Sequence, residues 1–140
     1  MIRKATKDDI PVIAGLMAEL WPHHTAAEME AEVEESMQQE ETAFFLAEEG
    51  GFAQCSLRHD YVEGTESVPV GYLEGIYVAE AVRKQGIARE LLGACEKWAK
   101  EKGCREFASD CELTNTQSLK FHLQVGFTEA NRIICFTKKL

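Results

Sequence analysis

The chain has 140 residues, 45% apolar and 28% charged, with three prolines and a formal net charge of −9. That is the composition of an ordinary soluble globule and suits one domain, residues 1–140, around a single core. No apolar run approaches the roughly 20 residues of a spanning helix, the opening MIRKATKDDIP lacks a signal peptide's apolar stretch, and the net sign disfavours nucleic acid. The expectation is a cytoplasmic protein that engages neither membrane nor nucleic acid.

The charge is uneven. Residues 8–57 hold 12 Asp and Glu and no Lys or Arg, whereas residues 83–105 hold seven Lys and Arg against three acids. Such halves suit a cationic ligand and an anionic one, but equally a solvated acidic face and a mixed-charge helix. Five scattered cysteines (55, 95, 104, 111 and 135) form no Cys-x-x-Cys pair and no zinc spacing. They are expected to be free, buried thiols, and no metal is expected.

In chain order, residues 2–6 form a short strand. Thr6 and Asp9 resemble a capping box, and Ile10, Ile13, Leu16, Met17 and Leu20 recur at helical spacing until Trp21-Pro22 ends the helix. Thr25 and Glu28 cap a second, acidic and mostly exposed helix with Met29, Val33 and Met37 on one stripe. Residues 42–48 and 52–60 are strands joined by a Glu49-Gly50-Gly51 turn. A polar loop (61–67) leads to a strand over 68–78 and a charged loop over 79–86. Ile87, Leu91, Leu92, Cys95, Trp98 and Ala99 mark a strongly amphipathic helix closed by Gly103. A strand at 106–109, a helix over 116–125 ending at Gly126, and one or two strands from Phe127, chiefly Arg132 to Lys138, complete an α/β order.

Two stretches stand out. In YLEGIYV (72–78) a carboxylate, Glu74, interrupts a buried-looking strand and a glycine follows it. An unpaired buried carboxylate is costly, and glycine in a strand often marks a bulge or a close approach. In RKQGIA (83–88) a basic pair and Gly86 precede the best helix of the chain. A helix N-terminus offers unbonded N–H groups and partial positive charge to an anion, and Gly86 clears the approach. The same residues also make a plain helix start. Neither a GK[ST] phosphate loop nor a G-x-G-x-x-G pattern is present.

Arg83-x-x-Gly86-x-Ala88, between strand and helix, resembles the acetyl-CoA signature of the GNAT acetyltransferase superfamily, and the order of elements matches that fold. Asn115-x-x-Ser118-x-x-Phe121-His122-x-x-x-Gly126-Phe127 resembles its second motif, with His122 where tyrosine is usual. Leu20-Trp21-Pro22, SLRHDYVEGTES (56–67), PVGYLEGIYV (69–78), GCREFASD (103–110) and FTKK resemble the small bacterial aminoglycoside 6′-N-acetyltransferases.

The resemblance implies a mixed central sheet with helices on both faces, and direct transfer of acetyl from acetyl-CoA to the 6′-amine of an aminoglycoside. The strand before the cofactor loop would splay from its neighbour at a bulge. Ile76, Tyr77 and Val78 would then offer N–H groups to the cofactor, with Arg83, Lys84, Gln85, Gly86, Ile87 and Ala88 at its phosphates, and Asn115 and Ser118 beside it. Glu74 would bind the ammonium and take its proton, directly or through water, and His122 would protonate the leaving thiolate. Trp21, Tyr61, Glu74 and Asp110 would contact the drug. Simpler roles stand beside these: Glu74 on a solvated sheet face, His122 and Trp21 as packing residues, Asp110 as a cap, and His59 as structural or part of the substrate loop. The resemblance also departs at Asn131, where an acid is expected, and implies a homodimer through the C-terminal strand. Other acceptors (a polyamine, a small amine, a protein N-terminus) and a non-catalytic acetyl-CoA sensor are the competing readings.

Overall fold

The computed structural model describes all 140 residues. β1 (Ile2–Lys4) leads through a 3-10 turn at Lys7–Asp9 into α1 (Ile10–Leu20). Asp9 fixes this junction. Its carboxylate accepts the Thr6 N–H at 2.8 Å and two Arg3 guanidinium bonds at 2.7 Å, although the residue is only 7% exposed. α1 stops at Leu20, because Pro22 disfavours helix at Trp21. α2 (Ala26–Met37) begins on Thr25, whose hydroxyl accepts the Glu28 N–H at 3.2 Å. Only Met29 and Val33 of α2 are buried, so its acidic side chains face solvent.

β2 (Thr42–Ala47), β3 (Gly51–Arg58) and β4 (Val70–Val78) run antiparallel; α3 (Ile87–Glu101) then crosses over to the parallel strand β5 (Phe107–Ala108), followed by α4 (Thr116–Gln124). The sheet order is β1-β2-β3-β4-β5. Strand alternation divides the core. Phe45, Ala53, Cys55 and Leu73 pack on the apolar stripe of α3, while Phe44, Leu46 and Phe52 pack on α1 and α2. Helices therefore cover both faces, as expected.

Several expected boundaries shift. β3 ends at Arg58 rather than at residue 60, β4 begins after Pro69, which has no N–H to donate, and β5 keeps two residues. The strands expected from Phe127, and over Arg132 to Lys138, do not form. Residues 128–140 are exposed and carry no regular structure, with Ile133 72%, Ile134 80% and Phe136 86% accessible. A strand exists only by pairing, and this arm pairs with nothing in its own chain. Nor are all the thiols buried: Cys55, Cys95 and Cys104 are, whereas Cys111 and Cys135 are exposed. Contact with Cys55, then burial, pushes the Cys95 thiol far up, so it is no nucleophile.

Candidate active site

The carboxylate in YLEGIYV is the extra residue of a β-bulge. Gln54 pairs with Gly75 and Cys55 with Leu73, so Glu74 has no partner on β3. The bulge turns Glu74 out of the ladder towards the α1/α2 face. There it accepts a hydrogen bond from the Ser56 hydroxyl and three from Arg58, at 3.2 Å from Nε and at 2.9 and 3.1 Å from Nη2. The Arg58 guanidinium lies 3.5 Å over the centroid of the Tyr72 ring, and the Tyr72 hydroxyl donates to Asp110. Burial, then the bond to Asp110, pushes the Tyr72 phenol far above its ordinary value, so it stays a donor.

The adjacent glycine has its own cause. A Cβ at Gly75 would stand 3.1 Å from the Trp21 indole. Trp21 therefore rests on the strand directly beside Glu74. A cleft of about 340 Å³ opens on this face, lined by Ser36, Gln39, Glu41, Gln54, Arg58 and Glu74 among others, with Leu57 its one apolar residue. Its rim holds His59, 2.8 Å from Glu41. Trp21, Glu74 and Asp110 are thus brought together, the last through Tyr72 and Arg58. Tyr61 is not joined to them: it is 74% exposed and bonded only within its own loop, to the Gly64 N–H. At the Asn131 departure, the Asn131 amide donates to Glu63 at 3.2 Å, so a carboxylate stands there from another segment.

The other side of β4 carries an open edge and an uncapped helix start. β5 pairs only with Gly71 and Tyr72, whereas β4 continues to Val78, which leaves the edge of residues 73–78 without β5. Ile76, Tyr77 and Val78 lie on that open stretch. The Val78 carbonyl accepts Arg83 Nε at 2.8 Å, which ties the following loop to the strand end. Lys84 and Gly86 both adopt the left-handed region, at φ 65° and 81°. With Gln85 between them, they form the kind of backbone concavity that gathers N–H groups towards an anion. No side chain caps the N-terminus of α3, whose first internal bond runs from Glu90 N–H to the Gly86 carbonyl. The N–H groups of Ile87, Ala88 and Arg89 accordingly have no helical acceptor.

At the far end, α4 is capped by Asn115, whose side chain accepts the Ser118 N–H at 3.1 Å. His122 Nδ1 lies 2.7 Å from the Ser118 carbonyl, and Nε2 lies 2.8 Å from the Ser109 hydroxyl just past β5. A carbonyl only accepts, so Nδ1 carries the proton and the neutral ring keeps its Nε2 lone pair towards Ser109. Arg58, Ser56, Tyr72 and Ser109 escaped the sequence reading. The alternation Gln54, Ser56, Arg58 on one face of β3 was the available signal for two of them. No cluster of three His, Cys, Asp or Glu side chains could hold a metal ion, and no helix is long and apolar enough to cross a membrane.

An uncapped helix N-terminus and a polar, carboxylate-bearing cleft thus lie at one bulged strand whose edge is open. Residues 13–127 match the model of the acetyltransferase (GNAT) family, and the chain belongs to that family. Within it, the chain is 42% identical to an aminoglycoside N(6′)-acetyltransferase type 1 of Salmonella enteritidis, over 99% of this chain and 98% of that protein. It is also 42% identical to one of Stenotrophomonas maltophilia, over 99% and 93%. Among solved structures, AAC(6′)-Iy in complex with the bisubstrate analogue CoA-S-monomethyl-acetylneamine superposes with a TM-score of 0.93 at 41% identity, covering 100% of this chain and 98% of that one. Apo AAC(6′)-IG from Acinetobacter haemolyticus gives 0.94 at 35% identity, covering 100% and 99%.

Proposed function

We propose that the protein transfers the acetyl group of acetyl-CoA to the 6′-amino group of aminoglycosides. The observation that carries this is the bulged Glu74: it faces an acidic cleft on one side of β4, while the strand's open edge and the Lys84–Gly86 turn lie on the other. The full-length likeness to aminoglycoside N(6′)-acetyltransferases supports the acceptor.

In this reading the diphosphate of acetyl-CoA rests on the N–H groups from Gln85 to Ala88. The pantetheine arm follows the open edge at Ile76 to Val78. Asn115 and Ser118 flank it, and Arg83 and Lys84 add charge. The acceptor ammonium binds beside Glu74 and loses a proton to that carboxylate. The freed nitrogen lone pair attacks the thioester carbonyl, whose developing oxyanion is met by β4 N–H groups. Collapse expels the thiolate; the attacking nitrogen gives its second proton to the His122 Nε2 lone pair through the Ser109 hydroxyl as the amide forms, and that imidazolium protonates the thiolate by the same route. No covalent enzyme intermediate is required, because holding both substrates together supplies much of the rate. Trp21 offers an apolar floor, Asp110 a second acid, and Tyr61 a reach from the loop above. The exposed arm 128–140, rich in apolar side chains, is read as the segment that pairs with a second copy in a homodimer.

The test is release of CoA thiol from acetyl-CoA with paired aminoglycosides bearing a 6′-amine or a 6′-hydroxyl, plus spermidine and an N-terminal peptide. Turnover confined to the 6′-amines is expected. Turnover with spermidine or the peptide alone would overturn the acceptor assignment.

A further inference from the structure

The cleft proposed for the acceptor already contains a cation. Arg58 donates to both Glu74 oxygens, at 2.9 Å to Oε1 and at 3.1 and 3.2 Å to Oε2, and stacks at 3.5 Å on the ring of Tyr72, whose hydroxyl holds Asp110. The guanidinium is therefore placed between the two carboxylates to which the family resemblance gives contacts with a polycationic substrate. It is a lining residue of the same 340 Å³ cleft. With Ser56 also donating to Oε2, the carboxylate is neutralised and most of its lone pairs are occupied. A carboxylate in that state has little free charge and few free lone pairs to offer an ammonium.

We infer that Arg58 is a placeholder for the acceptor ammonium, and that productive binding requires the substrate to displace it from Glu74. The inference rests on the acceptor reading above and names how that site selects its ligand. The geometry allows the exchange. The Arg58 side chain is 43% exposed and that of Glu74 26%, so the guanidinium can swing into solvent, where its charge is hydrated. Ser56 keeps its bond to Glu74 throughout and holds the carboxylate in place. One ammonium replacing one guanidinium gains little. An acceptor with several ammonium groups replaces that contact and adds another at the cleft's remaining acid, Glu41. Arg58 thereby sets a threshold that favours polycations over monoamines, by a ground-state competitor rather than by added contacts.

Two measurements test this. In the first, Arg58→Met is compared with wild type for aminoglycoside KM, monoamine KM and acetyl-CoA Kd. The expected result is a lower KM for both amines, by up to about fivefold, the scale of a part-exposed ion pair. The polycation-to-monoamine ratio should narrow and acetyl-CoA Kd should stay unchanged; Arg58→Lys, which keeps the charge but loses the fork, should fall between. A raised or unchanged aminoglycoside KM at normal acetyl-CoA Kd overturns the placeholder and makes Arg58 a positioning residue for Glu74 or a bystander. In the second, the Arg58 Nε–H resonance of the wild-type protein with CoA bound is followed while an aminoglycoside or spermidine is added. It should move to the position of a solvent-exposed arginine. A resonance unmoved at saturating amine overturns the inference. Because this readout needs no turnover, the two readings fail separately: displacement of Arg58 without acetylation of any 6′-amine removes the acceptor assignment alone, and acetylation with an immobile Arg58 removes the placeholder alone.

Discussion

Gly86→Asp should separate folding from cofactor binding. Gly86 sits at φ 81°, ψ 7°, and a Cβ built there meets nothing within 4 Å. The folding penalty is therefore conformational only, about 1–2 kcal/mol for a residue with a Cβ in the left-handed region. The binding penalty is larger. The new carboxylate would stand at the mouth of the Lys84–Gly86 turn, a few ångströms from a bound diphosphate. At an effective dielectric of about 20, two unit charges roughly 6 Å apart repel by about 3 kcal/mol. Even half of that for each diphosphate charge amounts to about a hundredfold in Kd. Calorimetric titration with acetyl-CoA, run beside urea unfolding, reads both effects. Gly86→Ala is the control, since it carries the strain without the charge and should unfold much like the Asp variant while losing far less affinity. Wild-type acetyl-CoA affinity in folded Gly86→Asp would refute the diphosphate assignment. Equal losses in both variants would mean that backbone conformation, not electrostatics, governs the cradle.

Glu74→Gln should leave acetyl-CoA Kd within about twofold and cut kcat by about a hundredfold or more, the scale of losing a positioned general base; an unaltered kcat–pH profile would take Glu74 out of the chemistry. Gly71→Ala should lower the melting temperature, because its Cβ would stand 2.6 Å from the Phe107 ring and 2.7 Å from the Ala99 Cβ. Overpacking of that kind costs about 1–3 kcal/mol, and an unchanged melting curve would mean that α3 and β5 yield freely. Asp9→Ala should destabilise the fold by about 1–2 kcal/mol at neutral pH through the lost Thr6 bond and Arg3 contacts. Arg3, followed by the Thr6 N–H, holds the Asp9 carboxyl far below its usual range. A depressed folded value stabilises fully above the unfolded value, about 3.9, and is lost as pH falls towards the folded one. The gap between Asp9→Ala and wild type should hold down to about pH 4 and close below it; a gap that closed near pH 6 would implicate another group.

Local chemistry was legible in the sequence wherever a residue acts on its own neighbours. The Thr25 cap, the Trp21-Pro22 stop, the Gly50 turn, the stripe of α3 and the Gly86 helix start all depend on contacts a few residues apart, and each stands where the spacing put it. The oddity of Glu74-Gly75 was visible too, but its cause was not. A bulge is a mismatch between two strands, and Gly75 is required by the Trp21 indole just past α1, 54 positions earlier. Neither the register nor that approach is written in either segment alone. The same holds for Arg58, which lay inside a recognised block but gained its meaning only when β3 and β4 brought it between Glu74 and Asp110.

Residues 132–138 show the opposite limit. Their apolar run satisfied every local criterion for a strand, yet a strand is completed by the backbone of a neighbour, and within one chain none is supplied. Sequence by itself determined the helices, the tight turns and the chemical type of the candidate base, because these follow from side-chain type and short-range spacing. Tertiary structure alone decided which carboxylate leaves the ladder, which cation occupies it and which apolar segment stays uncovered, because each depends on pairing and packing between segments far apart in the chain.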